Sequence, residues 1–119
     1  MSAGGRDYLI FSLGYNPSLG ALSWAEDIIK ANPDKNVILT AHAFMYWDST
    51  LQDPSDLDVP ATDGQEIWDA LGAKYPNVVL GLGGHIGFPD LPHCTNLNGA
   101  GEEVTSILCD AQGIDYTYG

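Results

Sequence analysis

The chain has 119 residues, of which 45% are hydrophobic and 17% charged. The composition is that of a globular protein, and the length suffices for one domain with its own core. Its 16 acidic residues against 4 lysines and arginines give a formal net charge of -12, which would repel a polyanion and argues against nucleic acid as a partner. No apolar run approaches the ~18 residues of a membrane span, so no such span is expected. The first residues lack the apolar stretch of a signal peptide, so either export is absent or the true start lies elsewhere, and the localisation stays open.

Strand-like and helix-like segments alternate along the chain, which predicts an α/β fold with a layered, mixed sheet. Gly14 ends the first strand and Asn32-Pro33 ends the first helix, because a residue before proline is disfavoured in a helix. Asp63, with Glu66 three residues later, is a capping-box pattern that predicts the start of a second helix. The predicted strands are 8–13, 36–40, 77–82 and 103–109, and the predicted helices are 19–31 and 64–75.

The first three predicted strands are nearly continuous apolar runs, which is typical of a sheet buried on both faces. Two helices cover only one face. The other face, taken as four strands about 17 Å long and 4.8 Å apart, projects roughly 300 Å², and leaving it in water forgoes on the order of 7 kcal/mol. We expect a second sheet from elsewhere in the polypeptide, or a second copy of this chain, to cover it; loops folded over a single sheet are the alternative.

Two histidines occupy equivalent places, with His42 directly after the second strand and His85 directly after the third. In open α/β sheets the loops at the carboxyl ends of strands bind ligands, so both imidazoles should point into one crevice. Imidazole is a ready ligand for zinc, iron or manganese. Either histidine alone is explained by a turn-capping role, but the two together, each next to small residues, favour a site.

The other candidates carry weaker patterns. His93-Cys94 falls in a flexible connection over residues 87–101 that is rich in Pro, Gly and Asn. It could lend a metal ligand there, but an exposed histidine in a loop usually has no role. Cys94 and Cys109 are not spaced as a zinc or redox motif, and their disulfide state stays open. The aromatic residues after His42 either wall a pocket or pack in the core, and the aspartates of the long polar loop lack an EF-hand pattern. These residues are Phe44, Tyr46 and Trp47, and Asp48, Asp53, Asp56 and Asp58.

The order and spacing of several segments resemble the calcineurin-like metallophosphoesterases, and in particular a bacterial and fungal branch often found in secreted proteins. The resemblance covers nearly the whole chain, so that residues 1–119 look like a single partial domain, the C-terminal half of that family's domain. The segments that carry it are Asp7 to Leu13, the helix around Trp24-Ala25, Val37 to His42, Thr62 to Trp68, Gly84-His85 and Leu108 to Gly113.

The resemblance implies half of a four-layer αββα sandwich and a two-metal hydrolase of phosphoesters, with zinc, iron or manganese as divalent cofactors. It also implies that His42 and His85 are ligands of one of the two metals. Gly87 stands where the family's Gly-His-x-His motif has its second histidine. The family's amino-terminal Asp-x-His, bridging aspartate and Asn-His pair have no counterpart in this chain, so it is expected to be inactive alone and its catalytic residues stay unassigned.

Two functions follow as expectations. The first is the C-terminal portion of a metal-dependent phosphoester hydrolase, completed by an N-terminal half. The second is a non-catalytic structural module derived from that fold, a homo-oligomer that buries the apolar face of its sheet. A composite metal site between identical copies is a third interpretation, but identical halves still supply no Asp-x-His motif.

Overall fold

The computed structural model describes residues 1–53, 63–85 and 91–110 of the chain. These residues form a six-stranded sheet and few helices, so the predicted mixed α/β class is confirmed. Among the described helices, none is long and apolar enough to cross a membrane. The elements are β1 (Ser2–Ala3), β2 (Arg6–Ser12), α1 (Leu19–Ala31), β3 (Asn36–Ala41), α2 (Gly64–Ile67, continued by a π-helical turn over Trp68–Gly72), β4 (Val78–Gly83), β5 (His93–Leu97) and β6 (Glu103–Leu108).

The strands lie side by side in the order β1-β2-β3-β4-β6-β5. β2, β3, β4 and β6 are parallel, and β1 and β5 are antiparallel strands at the two edges. Ile10, Ile38 and Leu80 are register partners and share one face of the sheet, whereas Phe11 and Leu39, one position later, share the other. Because parallel strands end at the same edge, the segments that follow β2, β3, β4 and β6 meet there.

Helix α1 spans the predicted residues because both of its ends are specified locally. Ser18 is the N-cap, and its side-chain oxygen accepts a hydrogen bond from the backbone N–H of Ala21 at 3.2 Å. Asn32, the residue before Pro33, leaves the helical conformation, and its side-chain amide donates to the carbonyl of Ile28 at 2.9 Å. One face of the helix is buried against the sheet, through Leu22, Ala25 and Ile29.

Helix α2 is shorter than the predicted span 64–75. Asp63 caps it as predicted, since its Oδ1 accepts hydrogen bonds from two backbone N–H groups of the first turn. After Ile67 the hydrogen bonding becomes π-helical, and the N–H of Ala73 donates to the carbonyl of Trp68 at 2.8 Å. The Trp68 ring lies so close to Gly72 that a Cβ there would be 2.7 Å from its Cζ3 atom. The predicted helical segment is thus present but ends at Gly72 rather than at residue 75, and only its first four residues are α-helical.

Strand β5 falls within residues 87–101, which the sequence patterns indicate as an irregular connection. It pairs antiparallel with β6, with His93 opposite Ile107 and Leu97 opposite Glu103. Its residues alternate between exposed and half-buried, and most are polar, so it lacks the apolar run that marks the inner strands. The prediction that His93 and Cys94 lie in a flexible connection is therefore wrong, because the ladder to β6 holds both in extended conformation.

The core lies on one face of the sheet, where both described helices contribute buried side chains. We call the opposite side of the sheet the open face and define it by Ile10, Ile38, Leu80, Leu97 and Ile107. Ile10 is 52% exposed and Leu97 is 59% exposed, while the other three are half-buried. The described helices thus cover one face only, as expected from their number. That a second sheet or a second copy of the chain covers the open face stays a prediction.

Candidate metal-ligand site

Backbone hydrogen bonds extend the parallel ladder beyond the carboxyl ends of the strands. The N–H of His42 donates to the carbonyl of Gly14 at 2.8 Å, and the N–H of Gly84 donates to the carbonyl of His42 at 3.1 Å. The residues that follow β2, β3 and β4 are therefore held in one row. This row places His42 and His85 on neighbouring segments at the same edge of the sheet.

The imidazoles of His42 and His85 are in direct contact. Nε2 of His42 and Nδ1 of His85 are 2.8 Å apart, a hydrogen-bonding distance, and the ring centroids are 4.7 Å apart at an interplanar angle of 55°. Both residues are exposed. In a neutral pair, one of the two facing nitrogens carries the proton and the other accepts it through its lone pair. The two rings lie together, as expected from their places after the strands, whereas their role as metal ligands stays a prediction.

His85 has a left-handed backbone conformation, with a φ of 74°, which is rare for a residue other than glycine. A conformation of this kind costs roughly 1–3 kcal/mol and persists only where the surrounding structure requires it. Gly83, two residues earlier, is required for packing, because a Cβ there would lie 2.8 Å from Cβ of Phe44. The end of β4 is thus a tightly packed, strained turn that carries the His85 ring to His42.

The chain after His42 forms a packed loop. Phe44 is fully buried, and its carbonyl accepts a hydrogen bond from the N–H of Gln52 at 3.1 Å. Of the two roles considered for the aromatic residues of this loop, Phe44 therefore has the core role. Tyr46 is half-buried, and Trp47 is 58% exposed. The buried ring fixes the backbone two residues after the imidazole of His42.

The described residues bring no complete set of metal ligands together. Among residues 1–53, 63–85 and 91–110, no group of three or more histidine, cysteine, aspartate or glutamate side chains is placed to hold a metal ion. Cys94 and Cys109 are both free thiols. The sulfur of Cys94 accepts a hydrogen bond from the side-chain amide of Asn96 at 3.3 Å, and burial raises the pKa of the Cys94 thiol. A raised pKa disfavours the thiolate, which is the form of cysteine that binds metals.

The acidic residues near the loop have local roles where the structure describes them. Oδ1 of Asp48 accepts a hydrogen bond from the hydroxyl of Thr50 at 2.6 Å, which closes a turn. Asp63 is 1% exposed, and burial raises the pKa of its carboxyl to about 6. Its Oδ2 has no hydrogen-bond partner in the part of the chain that is described. Asp53 is exposed, and Asp56 and Asp58 lie outside the described residues.

Tyr15 belongs to this site although the sequence analysis did not single it out. Its ring centroid lies 5.6 Å from that of His42, at an interplanar angle of 85°, and 5.8 Å from that of His85, at 40°. Its position in the sequence could have indicated it. Tyr15 follows Gly14 after the carboxyl end of β2, just as the two histidines follow β3 and β4.

Comparisons with known proteins leave the family of the chain undecided. No family model matches the sequence. The chain is similar to the uncharacterized protein YvnB of Bacillus subtilis (strain 168), with 26% identity over 85 residues. The match covers 71% of this chain and 6% of YvnB, so the chain corresponds to a small segment of that relative.

Proposed function

We propose that this chain is the C-terminal portion of a two-metal-dependent phosphoester hydrolase, in which His42 and His85 are two ligands of one metal. The observation that carries the proposal is the 2.8 Å contact between Nε2 of His42 and Nδ1 of His85. This contact brings two imidazoles, which are common metal-binding groups, to one point at the sheet edge where α/β proteins bind ligands. The resemblance to the metallophosphoesterases assigns this role to the same two residues.

The geometry of the pair fits two ligands of one metal after a small adjustment. Zinc, with Zn–N bonds of about 2.0–2.1 Å in a tetrahedral site, sets two ligand nitrogens roughly 3.3 Å apart. The present 2.8 Å separation therefore has to widen by about half an ångström, within the reach of a side-chain rotation. A metal also needs a lone pair on each facing nitrogen, so the shared proton has to move to Nδ1 of His42 or Nε2 of His85.

The same pair does not fit a complete two-metal centre. A catalytic zinc site uses at least three protein ligands, and the described residues bring two together. Gly87, at the position of the family's second histidine, has no side chain to offer and lies outside the described residues. When bound, a pair of metals in such hydrolases holds the phosphate and activates a water. In the proposal, His42 and His85 contribute binding and orientation, and the missing ligands come from an N-terminal half.

Metal titration of the purified chain tests the ligand role. We expect zinc or cobalt to bind weakly. His42→Ala and His85→Ala should each lower the affinity at least about tenfold, since losing even a residue that only supports a metal ligand has an effect of that size. His93→Ala is the matched control, because His93 lies on β5 and should leave the affinity unchanged. An equal loss of metal affinity in all three variants would count against the assignment of His42 and His85 as ligands. Tight binding of two metals with phosphatase turnover would refute the proposal that the site is incomplete.

A second candidate function is a structural module that associates with copies of itself. The observation that favours it is the open face, where Ile10 and Leu97 are more than half exposed while the opposite face of the sheet carries the buried core. Exposed apolar surface of this kind marks a contact site in soluble proteins. In the hydrolase proposal, the N-terminal half covers this face instead.

Replacing Ile10 with lysine separates the two candidates. For the module, light scattering should find an oligomer that Ile10→Lys converts to a monomer, because a charge in the buried contact costs several kcal/mol. Leu19→Lys is the control, since Leu19 is 79% exposed and lies on α1, away from the open face. A monomer that binds a hydrophobic dye favours the hydrolase fragment. A monomer without dye binding would contradict both candidates.

A further inference from the structure

The turn after β2 holds Tyr15 between two residues with left-handed backbone. Gly14 has a φ of 73° and Asn16 a φ of 48°. Asparagine tolerates this conformation better than most residues, but it is still uncommon outside glycine. The ring of Tyr15 is 56% exposed, so packing in the core does not explain the turn. Glycine adopts this conformation freely, so Asn16 is the uncommon position, and uncommon backbone conformations cluster at functional sites.

The Tyr15 ring is aimed at the two imidazoles. It meets His42 nearly edge-on and lies tilted against His85, with centroid separations of 5.6 and 5.8 Å. These distances are within the 4.5–7 Å range over which aromatic rings attract each other, by about 0.5–1.5 kcal/mol per pair. The hydrogen bond from the N–H of His42 to the carbonyl of Gly14 ties the same turn to the histidine backbone at 2.8 Å. One residue thus contacts both rings of the pair.

The contact with Tyr15 matters for the order of the two imidazoles, because both histidines are exposed. A single hydrogen bond between solvent-exposed rings contributes only about 0.5–1.5 kcal/mol net, since each ring can bond to water instead. Ordering the two side chains costs conformational entropy of similar size. The hydrogen bond between Nε2 of His42 and Nδ1 of His85 is therefore marginal by itself. Two aromatic contacts from Tyr15 are of the right magnitude to hold the rings together.

We propose that Tyr15 is a positioning residue, whose ring holds the imidazoles of His42 and His85 with Nε2 and Nδ1 facing one point before any metal binds. Tyr15 acts through ring contacts, so a phenylalanine should replace it and a leucine should not. This arrangement deepens the proposed function, because pre-ordered ligands raise metal affinity, but the ring order itself exists without a metal.

The test is nuclear magnetic resonance of the metal-free chain at mildly alkaline pH, where imidazole is neutral. Nitrogen–proton correlation spectra of the imidazoles and through-space contacts between ring protons should report a single ordered pair in the wild type and in Tyr15→Phe. Tyr15→Leu should lose both signatures. Trp24→Leu is the matched control, because Trp24 is 57% exposed but packs on Phe11, and it should keep them. An ordered pair in Tyr15→Leu, or none in the wild type, overturns the proposal.

Metal affinity gives a second readout that rests on the proposed function. Tyr15→Leu should bind cobalt roughly 10–100-fold more weakly than the wild type, the usual effect of losing a group that orients a ligand. Tyr15→Phe and Trp24→Leu should match the wild type. If the wild type binds no cobalt, the ligand role of the histidines fails, and the metal-free spectra still decide the role of Tyr15. Equal cobalt affinity in Tyr15→Leu and the wild type overturns the positioning role while leaving the ligand role intact.

Discussion

Phe44→Ala is expected to lower the free energy of unfolding by about 3–5 kcal/mol, the usual loss for a large buried aromatic residue. The Phe44 side chain is fully buried and packs over β4, where the strand carries glycines. A Cβ on Gly81 would lie 2.7 Å from Cε1 of Phe44, and one on Gly83 would lie 2.8 Å from its Cβ. Alanine would leave a cavity above a stretch of strand that has no side chains of its own to fill it. Urea unfolding followed by circular dichroism measures the loss.

Two controls define what this result means. Phe44→Leu keeps most of the apolar volume and should lose much less stability. Trp47→Ala removes an aromatic residue from the same loop at a position that is 58% exposed, and its loss should also be much smaller. A comparable loss in Phe44→Ala and Trp47→Ala would show that the Phe44 ring is not the anchor of the loop that follows His42.

Asp63→Asn is expected to raise the free energy of unfolding by about 1–3 kcal/mol above pH 7. Burial raises the pKa of the Asp63 carboxyl from 3.8 to about 6, and each unit of difference corresponds to about 1.4 kcal/mol. The folded state thus binds the proton more tightly than the unfolded state. The charged carboxylate destabilises the fold above pH 6, and this penalty disappears as the pH falls from about 6 to about 4. Asparagine caps a helix as well as aspartate does and carries no charge.

The pH profile distinguishes this effect from a general change in stability. The difference between Asp63→Asn and the wild type should be largest above pH 7 and should vanish near pH 4, as measured by urea unfolding at each pH. Asp27→Asn, a change at an exposed aspartate of α1, should show no such dependence. A variant that is less stable than the wild type at neutral pH would mean that the Asp63 carboxylate is compensated in the fold.

The elements with local signals could be predicted from the sequence. Helix α1 has the predicted bounds because Ser18 caps its start and Asn32-Pro33 ends it, and both are short-range effects. The inner strands were predicted within one or two residues, because short apolar runs rich in β-forming residues favour strands. β5 could not be predicted, since a polar edge strand depends on its partner β6 rather than on its own sequence. The π-helical turn could not be predicted either, and in it the Trp68 ring packs against Gly72 with no room for a Cβ.

The site could be predicted only in part, because its topology follows from the sequence but its tertiary contacts do not. The positions of His42 and His85 after parallel strands predicted that they share one edge, and this follows from topology alone. The 2.8 Å contact between their rings depends on the left-handed conformation of His85, which no sequence pattern indicates. The role of Tyr15 depends on the turn formed by Gly14 and Asn16, and the direction of its ring is a tertiary feature.

X-ray absorption of the zinc-loaded chain tests the ligand role most directly, because it counts the imidazoles around the metal. The proposed site predicts two imidazole nitrogens at about 2.0–2.1 Å from zinc, with the remaining positions taken by water. The same measurement on the His42→Ala, His85→Ala double variant should find neither. A zinc environment with no imidazole, or one that is identical in the wild type and the double variant, would contradict the assignment of this pair as metal ligands.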